Sequence, residues 1–168
     1  MNERKESTTS IILEYVRVIV LTVIATFIFL QFVQISRVNG SSMENTYFQN
    51  NIVLIDKVFY KHSQPKRNDI IIVDYDDGLD DTLIIKRVIA VGGDHLDIKN
   101  NEVYINGKKI KESYIKENMN TEDLSIDIPK GKVFVMGDNR NHSLDSRKLG
   151  CFDFDNDVIG KVFFKIPL

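Results

Sequence analysis

The chain has 168 residues, which suits one packed domain and an appendage but not two enzymatic domains. Its 22 Lys and Arg nearly balance its 24 Asp and Glu, and no long block of one sign occurs, so a nucleic-acid partner is not expected. The single cysteine, Cys151, cannot form an internal disulfide, and no Cys/His group has metal-ligand spacing. We therefore expect neither a disulfide framework nor a metal or other cofactor.

The first predicted element is a membrane-spanning helix at residues 11–33. Residues 18–33, "VIVLTVIATFIFLQFV", are apolar except for two Thr and one Gln. Counted from Ile11, the helix contains 23 residues, enough to cross about 30 Å of hydrocarbon. Glu14 and Arg17 lie one helical turn apart, so both heads can reach the same interface.

The basic residues indicate the orientation of this helix. Arg4, Lys5 and Arg17 precede or enter it. Because basic residues favour the cytoplasmic side, we predict a cytoplasmic N-terminus at 1–10 and an extracytoplasmic domain at 36–168. The alternative is a cleaved secretory signal, but the long apolar run without an Ala-x-Ala end favours a retained anchor in the lipid bilayer.

Beyond the helix, apolar residues occur in short runs separated by turn residues. These runs are rich in Val, Ile, Phe and Tyr, which pleated sheets favour, so the domain is predicted to be mainly β. Asn106-Gly107 predicts a two-residue hairpin, because both positions of that turn need positive φ. Residues 111–128 carry no clear pattern. Strands are predicted at 51–56, 69–75, 82–91, 95–99, 102–105, 131–136 and 158–166.

An acidic stretch near the C-terminus has partial calcium-site spacing. Asp153, Asp155 and Asp157 match the first ligands of an EF-hand loop. Val158 stands where that loop requires Gly, and Phe164 stands where it requires Glu. A solvated turn is therefore predicted, and no metal site.

The strand at 82–91, "TLIIKRVIAV", carries two adjacent cations. Alternation places Lys86 on one apolar face and Arg87 on the other. Burial disfavours a charged amine and can lower the pKa of a lysine from about 10.4 by up to 3 to 5 units, so Lys86 is a candidate base. Arg87 needs paired acceptors, for which Asp138 and Asp145 are candidates. The alternative for Lys86 is a sheet edge, where its head reaches water.

Two polar stretches supply candidate partners for this strand. Residues 39–47, "NGSSMENTY", place Ser41 and Ser42 after a glycine, either as nucleophile candidates or as parts of an ordinary linker. Residues 137–147, "GDNRNHSLDSR", crowd short hydrogen-bonding side chains after an apolar strand. Such crowding is more than a surface loop requires, and it can complete a hydrogen-bond network around buried charges.

Three stretches together resemble the conserved boxes of type I signal peptidases, peptidase family S26, in order and separation. They are "GSSMENT" at 40–46, "KRVIAVGGDHLDI" at 86–98 and "GDNRNHSLDSR" at 137–147. "RNDIIIV" at 67–73 resembles a fourth box. The single N-terminal anchor agrees with the Gram-positive form of this bacterial family. The resemblance implies a coiled antiparallel β-sheet catalytic domain.

The resemblance also implies roles for individual residues. Ser42 is the implied nucleophile, Lys86 the implied general base, and Ser143 the residue that hydrogen-bonds the lysine. The backbone amides of Ser42 and Met43 are the implied oxyanion donors, because Gly40 stands where some members place a serine hydroxyl. The implied supporting network comprises Asp138, Arg140, Asp145, Arg147 and Arg87.

The implied function is that of a membrane-anchored serine endopeptidase that removes signal peptides from secreted preproteins at the outer surface of the cytoplasmic membrane. In this family the substrate binds as an extended strand, with small residues at the first and third positions before the cut.

The sequence departs from the family pattern at four positions. Asn45 replaces the usual Pro, Asn68 and Ala90 each replace a Gly, and Tyr47 stands where Leu or Phe is common. We expect Asn45 to loosen a turn that Pro would fix, and Ala90 to be strained if its φ is positive.

Three alternatives stay open at this point. A Ser-His-Asp triad would use His142 and Asp145, and replacing His142 tests it. A self-cleaving regulator of the SOS-repressor type would also use a Ser/Lys dyad, but it would need a cleavable linker. A catalytically inactive, membrane-tethered preprotein-binding module would bind preproteins without shortening them.

Overall fold

The computed structural model describes residues 8–76 and 81–167. An apolar helix, α1 at Thr8–Phe32, precedes a domain of two antiparallel sheets. By length and composition, residues Thr9–Phe32 can cross a membrane, and the side chains of 9–31 are exposed. The helix ends one residue before the predicted boundary because Val33 begins the first strand. The sheet therefore begins at Val33, before the predicted domain start at 36.

The chain forms the first four strands of the larger sheet, then the whole smaller sheet, and then returns to complete the larger one. The larger sheet has seven strands in the order β1-β2-β11-β3-β4-β9-β10, and the smaller has four in the order β7-β6-β5-β8. A short helix, α2 at Ser146–Leu149, and two 3-10 turns at Tyr60–His62 and Arg140–His142 complete the domain. The strands are β1 Val33–Arg37, β2 Ile52–Asp56, β3 Ile70–Asp76, β4 Asp81–Val91, β5 His95–Lys99, β6 Glu102–Ile105, β7 Lys108–Lys109, β8 Leu124–Asp127, β9 Lys132–Met136, β10 Phe152–Asp153 and β11 Val158–Ile166.

The predicted mainly β fold is confirmed. All seven predicted strands form within one residue of their predicted bounds. The hairpin also forms, since Asn106 and Gly107 have φ of 51° and 75° and Ile105 pairs with Lys108. Four short strands were not predicted. Of these, β1 continues an apolar run, β8 lies in the unpatterned stretch, and β7 and β10 have two residues each.

Strand β4 lies between β3 and β9, and it contributes to all three apolar clusters of the domain. Ile89 packs between the two sheets, Val88 packs on the opposite face, and Ile85 packs in the cluster that also holds Met43. Both faces of β4 are covered at residues 85–90, so a charged side chain in that part of the strand must lose most of its water.

Candidate active site

Strand β4 buries both of its adjacent cations. Lys86 is 3% exposed and Arg87 is 7% exposed. Arg87 pairs with Met136, the last residue of β9, so Lys86 lies where β9 ends and the polar stretch 137–147 begins. The alternative prediction, that Lys86 lies on a solvated sheet edge, is wrong.

The amine of Lys86 contacts the hydroxyl of Ser42. Lys86 Nζ lies 2.9 Å from Ser42 Oγ and donates to Ile85 O at 3.0 Å. Burial lowers the pKa of Lys86 to about 8, while the negative charge of Asp145 opposes part of that shift. Among the described residues, no carboxylate hydrogen-bonds this amine. A large share of Lys86 is therefore neutral near pH 8, which is the form that can accept a proton.

The loop that carries Ser42 is fixed by a turn and by an apolar anchor. Met43 is 1% exposed and packs with Val53 and Ile55, while its carbonyl accepts from Tyr47 N at 2.8 Å. Asn139 holds the same loop from the other side, because its backbone N–H donates to Ser42 O and its Nδ2 donates to Ser41 O, both at 3.0 Å. These contacts restrict the backbone of the loop and so hold the Ser42 hydroxyl in place.

The predicted oxyanion donors are available for a ligand. Within the described part of the chain, the backbone N–H groups of Ser42 and Met43 donate to no protein acceptor. Gly40 has φ of 98° and its own N–H donates to Gln49 Oε1 at 2.6 Å. The Gly40 amide is therefore already engaged, whereas the amides of Ser42 and Met43 can donate to a developing negative charge.

Gly137 allows the serine loop and the polar stretch to meet. A Cβ at this position would collide with Ser42 O and with Ser143 Oγ. Glycine at 137 is therefore required by close packing beside the candidate nucleophile.

Ser143 is brought close to the site, but the hydrogen bond implied for it is not formed. Its Oγ is buried and forms no hydrogen bond with Lys86, but it lies close enough to Asp145 to help lower the pKa of that carboxyl. The donors of Lys86 are directed instead at Ser42 Oγ and Ile85 O. Ser143 therefore lies against Gly137 as a neighbour of the dyad and not as a ligand of its lysine.

Only one of the two carboxylates proposed as partners for Arg87 binds it. Arg87 binds Asp138 through two parallel hydrogen bonds, Nε to Oδ1 at 2.8 Å and Nη2 to Oδ2 at 2.7 Å. Thr46 also donates to Asp138 Oδ2, which links the pair to the serine loop. Asp138 is thus the acceptor for Arg87, and the proposal of Asp145 in that role is wrong.

Asp145 instead pairs with Arg147. Arg147 Nε and Nη2 each lie 2.9 Å from an Asp145 oxygen, and Gly137 N–H donates to Oδ2 at 3.0 Å. Burial raises the pKa of Asp145, but the hydrogen bonds and charge of Arg147 outweigh it and leave that pKa below its usual value. Asp145 therefore stays ionised near Lys86.

The carboxylate partner of Arg140 lies in residues 111–128, the stretch for which the sequence predicts no structure. Arg140 is 1% exposed, and Glu112 accepts its Nη1 at 3.0 Å and its Nη2 at 2.6 Å. Tyr114 lies against the same group, with Arg87 Cζ 4.0 Å from its ring centroid and its hydroxyl donating to Glu112 Oε1 at 3.0 Å. Glu112, Tyr114 and Asn139 were not predicted as site residues. Only Asn139 had a signal, its place inside the polar stretch.

The residues of the alternative Ser-His-Asp triad do not form a catalytic arrangement. His142 is exposed, and Asp145 is engaged by Arg147 and Gly137. The group that contacts Ser42 Oγ is Lys86.

One expectation at the family departures is wrong, and the condition attached to the other is not met. Asn45 has φ of 92°, which proline cannot adopt, so the turn here is not a loosened proline turn. Asn68 has φ of 73°, a conformation that Gly and Asn both tolerate. Ala90 is not among the described non-glycine residues with positive φ. The backbone strain expected for a positive φ at this residue is therefore not present.

The C-terminal aspartates cap a turn. Asp153 Oδ1 accepts from the N–H groups of Asp155 and Asn156, both at 3.1 Å, and Asp157 Oδ2 accepts from Asp153 N–H at 2.7 Å. In the ranges 8–76 and 81–167, no three His, Cys, Asp or Glu side chains are grouped so that they could hold a metal ion.

Comparisons with known proteins give matches over most of the chain. The model of the family described as signal peptidase, peptidase S26, matches residues 12–166. The chain is 33% identical to signal peptidase I P of Bacillus subtilis subsp. natto, over 99% of this chain and 96% of that one. It is 37% identical to signal peptidase I U of Bacillus subtilis, over 73% and 70%. The crystal structure of a signal peptidase I from Enterococcus faecalis has a TM-score of 0.52 and 28% identity, covering 60% of this chain and 98% of that one.

Proposed function

Because the chain belongs to the signal peptidase family, peptidase S26, whose members are serine peptidases that remove signal peptides, we propose that it cleaves preproteins with a Ser42/Lys86 dyad. In this proposal Ser42 is the nucleophile and Lys86 is the general base. The observation that carries the proposal is the 2.9 Å contact between Lys86 Nζ and Ser42 Oγ in a site that keeps the lysine out of water.

The first half of the reaction forms an acyl-enzyme. Neutral Lys86 accepts the proton of Ser42 Oγ, and that oxygen bonds to the carbonyl carbon of the scissile peptide. The backbone amides of Ser42 and Met43 donate to the negative oxygen of the tetrahedral intermediate. As the C–N bond breaks, protonated Lys86 gives its proton to the leaving amine, so the mature protein departs with a free N-terminus.

The second half releases the signal peptide. Lys86, neutral again, accepts a proton from a water molecule, and the water oxygen attacks the acyl carbon. The ester bond to Ser42 breaks, and protonated Lys86 returns the proton to Ser42 Oγ. Asp145 stays ionised near the lysine and favours the protonated form that each step produces.

A shallow groove supports binding of an extended substrate with small side chains. Its lining includes Val38 and Asn39, just before the Ser42 loop, and Ile85, which precedes Lys86 in β4. Val53, Ile72 and Leu83 complete its apolar part, and the rest of the lining is polar. The groove has a volume of only about 40 Å³, so small residues before the cleaved bond would fit it best.

The membrane arrangement belongs to the same proposal. We place residues 1–10 in the cytoplasm, the helix from residue 11 to Phe32 in the bilayer, and the domain that begins at Val33 on the outer side. The support is the apolar exposed surface of α1 and the basic residues before it. Ser42 follows the end of α1 by ten residues, which keeps it near the membrane, where a substrate's own apolar segment ends.

The test is cleavage of a model preprotein by the full chain in liposomes. We expect the wild-type protein to shorten it after a small residue, and Ser42→Ala and Lys86→Ala to leave it intact. His142→Ala is the matched control and should cut at the wild-type rate. Processing by Ser42→Ala would contradict the proposal.

The same assay separates cleavage from mere binding. A tethered binding module would retain the preprotein without shortening it. The turn at Asn45 is not a loosened proline turn, and Ala90 is not among the described non-glycine residues with positive φ. Cleavage is therefore the function that the geometry supports best.

A further inference from the structure

The five residues 112–116, here called the strap, are anchored to the buried charges of the site. Glu112 binds Arg140 through both of its oxygens, and the Tyr114 ring lies under Arg87. The backbone N–H of Lys116 donates to Asp138 O at 2.9 Å. Two of these contacts fix the strap to the polar stretch 137–147, and the third fixes it to strand β4.

The strap also holds the serine loop. Asn45 Nδ2 donates to Tyr114 O at 3.0 Å and to Ile115 O at 3.3 Å. Lys116 Nζ forms an ion pair with Glu44 at 2.6 Å. Both contacts join a residue within three positions of Ser42 to an element that is itself fixed.

The conformation of Asn45 shows that this contact depends on residue type. Its φ of 92° excludes proline and disfavours side chains other than Asn, Asp and Gly. Of these three, only Asn brings an N–H donor to the carbonyls of Tyr114 and Ile115. Residue 45 thus combines a tolerated backbone conformation with a hydrogen-bonding side chain.

We propose that Asn45 is a positioning residue for catalysis, which acts by tying the Ser42 loop to the strap. This inference rests on the proposed role of Ser42 as nucleophile. Asn139 holds the backbone of the loop on one side, at Ser41 and Ser42, and Asn45 holds it on the other. Between the two, Ser42 Oγ is kept within reach of Lys86 Nζ.

The test uses the full chain in liposomes and the steady-state cleavage of a model preprotein. Asn45→Gly keeps the backbone conformation and removes both hydrogen bonds. We expect kcat to fall about 10- to 100-fold, because small displacements of a reacting group have large effects on rate, while KM changes little. Asn45→Asp should lose at least as much, since its oxygens would face two carbonyl oxygens.

A matched control separates positioning from general stability. Asn100 also has positive φ, 51°, and is exposed, but it lies in the turn between β5 and β6, and Asn100→Gly should keep the wild-type kcat. The apparent pKa of the pH profile should be the same in Asn45→Gly as in the wild type, because the surroundings of Lys86 are untouched. The melting temperature of Asn45→Gly should also match that of Asn100→Gly.

The outcomes are distinct. A wild-type kcat in both Asn45 variants would overturn the inference and leave the dyad standing. A loss of activity matched by a lower melting temperature and a raised KM would overturn it in favour of a purely structural role. If the wild-type protein itself does not cleave, the proposed function fails, and the inference fails with it.

Discussion

The active site and the four-stranded sheet both pair basic side chains with carboxylates, but water reaches the two regions differently. Lys109 and Glu102 lie 2.5 Å apart on the four-stranded sheet, with side chains 57% and 42% exposed. Arg140 and Glu112 lie 2.6 Å apart beside the active site, with side chains 0% and 10% exposed. The charged groups are almost equally far apart in the two pairs. We therefore expect any difference in their contribution to the free energy of unfolding to come from burial.

Two lysines make the same contrast. The hydrogen bond from Lys109 to Glu102 raises the pKa of exposed Lys109, whereas burial without a carboxylate ligand lowers that of Lys86. Each buried arginine of the site has a carboxylate of its own: Asp138 for Arg87, Glu112 for Arg140 and Asp145 for Arg147. Among the described residues, no carboxylate hydrogen-bonds Lys86, which agrees with the role of base proposed for it.

The largest expected effect is on catalysis by Lys86→Met. Methionine has a similar length but cannot accept a proton, so cleavage should fall by about 10⁴-fold or more. Initial rates of preprotein cleavage at pH 8 measure this. A loss of less than tenfold would show that some other group is the base.

The same variant should be more stable than the wild type. The pKa of Lys86 falls from 10.5 to about 8 on folding, so the charged lysine destabilises the fold by up to about 3 kcal/mol. This penalty is complete below pH 8 and disappears as the pH rises to 10.5. Urea unfolding in detergent should therefore show Lys86→Met to be more stable at pH 7, with a gap that closes towards pH 10.5. A gap that widens with pH would contradict the buried, charge-penalised lysine.

Asp138→Asn should destabilise the protein strongly. Asp138 is 0% exposed, and its loss of charge leaves the Arg87 guanidinium buried without a counterion. We expect a drop of about 3 to 5 kcal/mol in the free energy of unfolding, measured by urea titration at pH 7. A drop of under 1 kcal/mol would mean that water reaches Arg87.

Glu112→Gln should have an intermediate effect. The amide oxygen can still accept one hydrogen bond from Arg140, but the charge and the second acceptor are lost. We expect a loss of about 1 to 3 kcal/mol in the same titration. An effect as large as that of Asp138→Asn would show that the strap is as important to the fold as the core pair.

Glu102→Gln should have the smallest effect. Its partner, Lys109, is exposed and regains water when the carboxylate is removed. No measurable change in the unfolding midpoint is expected. A loss equal to that of Glu112→Gln would break the comparison between the two regions.

The sequence predicts the strands and the buried Lys86 because both rest on local patterns. Seven strands follow from runs of β-branched residues, and Lys86 and Arg87 stand out as cations within such a run. Family resemblance adds Ser42, which composition alone leaves as one of two serines in a linker. The structure then brings Ser42 and Lys86, 44 positions apart, into contact.

The partners of the buried charges are less predictable. Glu112 and Tyr114 lie in a polar stretch without periodicity, and only the folded chain brings them to Arg140 and Arg87. Asp145 was a reasonable acceptor for Arg87, but it forms its ion pair with Arg147, which is only two residues along the chain. Asn45 was misjudged because the family's proline suggested a conformation that this turn does not have.

The most direct test of the dyad is the pH dependence of kcat/KM for wild-type cleavage between pH 6 and 10. Because the neutral amine is the base, the account predicts a rate that rises with pH through an apparent pKa of about 8, well below 10.5, and the same rise in His142→Ala. A profile that is flat across this range, or that rises only near the ordinary pKa of lysine, would contradict the claim that buried Lys86 deprotonates Ser42.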